Sequence, residues 1–167
     1  MRRDPKSALS PAQYGFSMVE ILVTLVIVAI ALLGTAGLQA YAMRVNKSGQ
    51  FRTQAIFLAS DLVERMEANK AQSVLGSYVV ATTSAVAAAP ADCSQAACNP
   101  ATLAGWDINQ WEQSIANLLP QPSWSVAQTV AGNPSTYSIV IVWTDRSSVN
   151  TASGETFSYT ATRTIGN

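Results

Sequence analysis

From Ile21 to Ala42 the sequence ILVTLVIVAIALLGTAGLQAYA carries no charged residue, and this run constrains the chain more than any other feature. Residues Ile21 to Leu38 alone would span about 27 Å as a helix, close to the roughly 30 Å of a bilayer core. A soluble fold would have to bury such a helix on every side, and in a chain of 167 residues the remainder is too small to enclose it. A membrane helix is therefore expected. Composition agrees: only 12% of residues are charged against 49% hydrophobic, whereas soluble globular domains carry about 25% charged residues.

The preceding segment, MRRDPKSALSPAQYG, sets Arg2, Arg3 and Lys6 against Asp4 alone. This basic flank predicts a cytoplasmic N-terminus with everything after the helix on the far side. The apolar run exceeds the roughly 7–15 residues of a secretory signal. AIALLGTAGLQA nevertheless offers small residues at a spacing that ordinary signal cleavage would accept, and that alternative stays open. One carboxylate, Glu20, stands at the head of the run. At the bilayer centre it would cost about 2.5–3.5 kcal/mol, and less near the edge. It either snorkels to water or meets a positive group inside an assembly.

Basic leader, glycine, aromatic residue, glutamate and long apolar helix occur together as Gly15-Phe16-Ser17-Met18-Val19-Glu20 and its surroundings. This set resembles the processing signal of type IV pilins and pseudopilins. The resemblance implies that a prepilin peptidase on the cytoplasmic side cuts between Gly15 and Phe16 and methylates the new Phe16 amine. It also implies that Glu20 faces the N-terminus of a neighbouring subunit during assembly. The expected division is a cleaved leader over residues 1–15, a transmembrane and assembly half-helix over 16–42, and a periplasmic head over 43–167.

Helical periodicity continues past the apolar run. Phe51, Ala55, Leu58, Leu62 and Met66 form a stripe, with Arg52, Gln54, Asp61, Glu64 and Lys70 opposite. No proline intervenes between Pro11 and Pro90, so one helix from about Ser17 to Gln72, about 84 Å long, is permitted. Gly34 and Gly37 mark where it should soften or admit a neighbouring helix. It should stop near Gly76. Tyr78 to Ala89 is compatible with a strand or a loop. Asn46-Lys47-Ser48 matches a glycosylation acceptor, but a three-residue match inside a helix is weak.

Cys93 and Cys98, on the exported side, are expected to form a loop-stapling disulfide, with free thiols as the alternative. Their C-x4-C spacing is neither a redox motif nor a zinc knuckle. A second helix is predicted from a capping box at Asp107-Ile108-Asn109-Gln110, through Trp111, Ile115 and Leu118, to Pro120 and Pro122. Strands are expected over Trp124–Val130, Tyr137–Trp143 and Thr156–Thr164. The middle one is apolar on both faces and so central. The fold class is α+β: a long N-terminal helix whose second half packs on a small antiparallel sheet, which is also what the resemblance implies.

Enzymatic and nucleic-acid functions start from low ground. The chain has no histidine, the commonest general base, and shows no phosphate loop, catalytic constellation or metal cluster, so no cofactor is expected. After Lys70, two arginines face five carboxylates, the wrong sign for intrinsic nucleic-acid binding. Asp145-Arg146 reads as a surface ion pair at a turn. Within the superfamily, DLVERMEANK, WDINQWEQSIANLLP and YSIVIVWTDR resemble a minor pilin, although Glu67 and Glu112 stand where basic residues are expected. That resemblance implies a noncatalytic subunit, anchored in the inner membrane and then carried into the pilus tip. Its partners would be the prepilin peptidase, other minor pilins and the major pilin, a large tip adhesin and the inner-membrane assembly platform. The alternatives are a minor pseudopilin of a type II secretion system and, distantly, a signal-anchored periplasmic enzyme.

Overall fold

The computed structural model describes residues 15–145 and 154–166. These form α1 (Met18–Ala68), α2 (Lys70–Val74), β1 (Val80–Thr83), α3 (Pro100–Leu118), β2 (Ser123–Val130), β3 (Ser135–Asp145) and β4 (Glu155–Ile165). The chain divides between Ala42 and Met43 into two compact units.

In the first unit α1 is exposed along its whole length, with no residue of its apolar window buried. It is long and apolar enough to cross a membrane. The two threonines of this part of α1 do not leave polar groups unsatisfied: Thr24 Oγ1 donates to the Ile21 carbonyl at 2.8 Å and Thr35 Oγ1 to that of Leu32 at 2.9 Å. The helix runs without interruption through Gly34 and Gly37, and a Cβ on either would meet open space.

The second unit is an antiparallel meander in the order β1-β2-β3-β4, with α1's second half and α3 over one face. Register sets Val126, Ile139 and Ala161 in one row, and Trp124, Ile141 and Tyr159 in the next. The stripe on α1 supplies Ala55, Leu58, Leu62 and Met66 to the core, while Phe51 packs against it only partly buried. Trp111 and Ile115 of α3 enter from beside α1, and Trp111 Nε1 donates to the Leu58 carbonyl at 2.8 Å. β3 alternates buried and half-buried positions throughout and lies between β2 and β4, as its two apolar faces predict.

Beyond shifts of one or two residues at the strand ends, the structure differs from the sequence reading in several places. The long helix breaks at Asn69 (φ −118°, ψ 51°), because the Asn69 amide is drawn into tertiary bonds, to the Pro100 carbonyl at 2.8 Å and to Tyr78 Oη at 3.3 Å. Only Val80–Thr83 of the Tyr78–Ala89 segment is strand. The second helix starts at Pro100 rather than Asp107. Asn99 caps it by accepting from the Thr102 N–H at 2.9 Å, and proline stands at the first helical position where no amide hydrogen is needed. Leu119, not Leu118, is the buried residue at its end. At the other stop, Gly76 holds φ +85°, a conformation that glycine adopts at little cost.

Candidate functional site

Two places carry polar chemistry that the fold does not use merely to solvate its surface. One is the N-terminal segment and the other is the buried polar seam around α3.

At the N-terminal segment, Gly15 to Ser17 precede the first helical residue. The Ser17 carbonyl accepts the N–H of Glu20 at 3.0 Å and of Ile21 at 3.2 Å, so α1 is wound from that point on. The Gly15–Phe16 peptide lies outside the helical ladder, with Phe16 80% exposed and nothing within 4 Å of a Cβ built on Gly15. A peptide bond so placed is open to a protease. Glu20 occupies the first turn of α1, where the helix dipole favours a negative charge. No hydrogen bond or ion pair to its carboxylate is formed among the described residues. The segment therefore combines an exposed Gly15–Phe16 peptide bond, an exposed aromatic residue, and an unpaired carboxylate four residues further on.

The second place lies inside the head. Asp107, which the sequence reading placed at a helix start, sits in mid-helix and is buried. It accepts the Tyr78 hydroxyl at 2.8 Å and the Arg65 guanidinium at 3.3 Å. Burial, and after it this carboxylate, pushes the Tyr78 phenol well above its ordinary value. Glu112, which stands where a basic residue is expected, is 1% exposed. Its two oxygens accept Trp124 Nε1–H at 2.9 Å and the Ala87 N–H at 2.6 Å, while Asn109 Nδ2 donates to the Ala87 carbonyl at 2.5 Å. The seam thus ties the segment before α3 to the helix through the N–H and C=O of one residue, Ala87. A basic residue at 112 would find two donors and no acceptor there, which is why glutamate suits this chain. Glu67 pairs with Arg163 at 3.0 Å and with Lys70 at 3.8 Å.

Cys93 and Cys98 are joined in a disulfide, just ahead of the Asn99 cap. Asn46-Lys47-Ser48 lies within α1. Arg146 falls outside the described residues, so the pair proposed for it with Asp145 does too. Among the described residues no three His, Cys, Asp or Glu side chains are grouped to hold a metal. The seam is a structural device, fully engaged within the head. The N-terminal segment is not engaged, and it is the part available to other molecules.

Comparison with known families agrees with this division. Residues 10–36 match the prokaryotic N-terminal methylation motif, and residues 37–109 match the family described as type IV pilin Tt1218. No curated protein and no solved structure matches the chain. The second match carries α1 out of the apolar run, through α2 and β1, into α3. The two matches together run from residue 10 to residue 109, and the chain belongs to the type IV pilin/pseudopilin superfamily.

Proposed function

We propose that the chain is a minor pilin of the PilV type. A prepilin peptidase removes residues 1–15 and methylates the Phe16 amine. The subunit waits in the inner membrane with its head in the periplasm. The assembly platform then draws it, with other minor pilins, into a complex that primes the fibre under the major pilin. This complex stays at the tip, where it supports a large adhesin, attachment and twitching motility.

Glu20 carries the reading. It is the one carboxylate at the head of the uncharged, exposed run of α1 that extends to Ala42, and a charge left there without a partner is costly in hydrocarbon. The mature Phe16 ammonium of an adjacent subunit would compensate both desolvation costs with one short-range attraction in a low-dielectric interface. The contact forms only between subunits, so it favours assembly without stabilising the isolated chain. The head resemblance, through WDINQWEQSIANLLP above all, favours the minor pilin over the pseudopilin.

The test compares wild type with Glu20→Gln at matched membrane levels. Glutamine should leave leader removal intact, while the subunit disappears from sheared fibres and from crosslinks to other pilins. Wild-type yield of E20Q in both would refute the intersubunit role and return Glu20 to snorkelling at the bilayer edge. Quantification of the wild-type subunit against the major pilin should find it far below stoichiometric. Its absence from sheared fibres, together with a secretion defect on deletion, would assign it to a pseudopilus.

A further inference from the structure

Between Glu20 and Asp61 the chain holds no carboxylate, and its only charges there are Arg44, Lys47 and Arg52. Arg44 and Lys47 follow Ala42, the last residue of the apolar run, by two and five residues. Along the continuous helix α1 those steps are about 3 and 8 Å. Membrane proteins concentrate Lys and Arg beside the cytoplasmic ends of their spans, so a basic pair after the run as well as a basic flank before it is not explained by topology. Both residues are exposed, and neither forms an ion pair among the described residues.

The two stand three residues apart and so share one face of α1. Lys47 Nζ lies 5.4 Å from the centre of the Phe51 ring, a contact that steadies the ammonium without neutralising it. The same ring borders a cleft of about 360 Å³, completed by Pro120, Gln121 and Thr144, none of them charged. Asp145, next to Thr144 in sequence, is 2% exposed and presents no charge to the surface. Arg52 is placed differently. Its guanidinium sits 5.1 Å from the centre of the Phe157 ring, two residues from Glu155, and it stands ten residues beyond Ala42, about 15 Å along the helix. The pair therefore faces surroundings that do not repel an anion, at the level where the apolar run ends.

We propose that Arg44 and Lys47 bind the phosphate of an anionic phospholipid at the surface where the apolar run leaves the membrane. Chain length alone sets the depth: with Lys47 only five residues beyond the run, both side chains reach the head-group layer, which is about 5–8 Å thick on each side of the hydrocarbon. The arginine fork takes two phosphate oxygens and the ammonium a third. A second copy anchored in the same membrane offers only the same two cations at that level. The next carboxylate, Asp61, follows Lys47 by fourteen residues, about 21 Å along α1. Lipid phosphate is the anion already present there. The site rests on α1 spanning a membrane, and not on the reading given to Glu20 or the leader junction.

The test places the full chain in phosphatidylcholine vesicles, with R2Q, R3Q and K6Q introduced throughout so that the leader contributes no charge. Resistance to carbonate extraction checks the spanning helix by itself; failure there would overturn the anchor and the site with it. Spin-labelled phosphatidylglycerol should then associate with the inserted chain about three- to tenfold more strongly than spin-labelled phosphatidylcholine. R44Q/K47Q should abolish that preference. R52Q should keep it within about twofold, because Arg52 lies further from the run than the roughly 10 Å Debye length at about 0.1 M salt. Insertion without preference would overturn the site. Equal loss in R52Q would overturn it too, by assigning the effect to diffuse charge. Insertion without preference, combined with loss of the R44Q/K47Q subunit from sheared fibres, would give the pair to a carboxylate of a neighbouring subunit instead.

Discussion

Trp111 and Trp124 are 0% and 1% exposed, and each donates its indole N–H to one acceptor. Replacing either with phenylalanine makes the same chemical deletion, so the volume lost is nearly common to both and the difference reports the acceptor. Trp111 Nε1 donates to the Leu58 carbonyl, which α1 already supplies with a helical donor. Its loss orphans nothing and costs about 1 kcal/mol for the bond, beside a volume cost of about 1–2 kcal/mol. Trp124 Nε1 donates to Glu112 Oε1. That carboxylate is buried and has one other donor, the Ala87 N–H. Bonds to a charged group contribute about 1.5–3 kcal/mol, and an under-solvated buried carboxylate adds to the cost. Trp124→Phe should therefore destabilise the head by about 1–2 kcal/mol more than Trp111→Phe, or roughly 3–6 °C in Tm. All four tryptophans lie in the head, so urea titration of the full chain in micelles, read by tryptophan fluorescence, measures head unfolding without contribution from the apolar helix. Adding Glu112→Met to W124F should recover part of the loss, because no carboxylate is then left short of a donor and the Ala87 N–H, on an exposed residue, turns to water. Equal or greater destabilisation by W111F, or a double variant worse than W124F alone, would refute the assignment of the cost to Glu112.

Intact-mass measurement of membrane-extracted protein should give residues 16–167 plus one methyl group; a terminus within residues 35–42 would mean ordinary signal cleavage. Non-reducing peptide mapping of exported protein should recover Cys93 linked to Cys98, and two alkylatable thiols there would contradict the bond. Tyr78, raised by burial and by the Asp107 carboxylate, and Tyr137, raised by burial, keep protons that the unfolded chain releases near pH 10. The stability they supply is thus fully present below about pH 10 and lost as pH rises above it. In a phenolate absorbance titration both should ionise only with unfolding; ionisation of both in the ordinary range in a still-folded chain would refute this.

Features legible in the sequence are those that depend on near neighbours. Absence of charge from Ile21 to Ala42 makes a membrane-length helix, because hydrocarbon tolerates only a backbone that satisfies its own hydrogen bonds. The four-and-three spacing of Ala55, Leu58, Leu62 and Met66 is a helical face whatever it packs on, and the alternation in YSIVIVW is a strand with two covered sides. The match to an N-terminal methylation motif was legible for the same reason: Gly15, Phe16 and Glu20 stand within six consecutive residues. Tertiary structure decided the rest. Asp107-Ile108-Asn109-Gln110 has the composition of a cap, yet Asp107 lies in mid-helix because Tyr78 and Arg65, distant in sequence, converge on its carboxylate. The signal for the true start was Asn99-Pro100. Asn69 interrupts a run of good helix formers because the Pro100 carbonyl and the Tyr78 hydroxyl lie within its reach. Glu112 has the sequence profile of a surface glutamate and is buried because Trp124 and the Ala87 peptide both present donors to it. Periodicity reports which face of an element is apolar, whereas the partner of a buried polar group depends on which distant segments the packed core brings within about 3 Å of it.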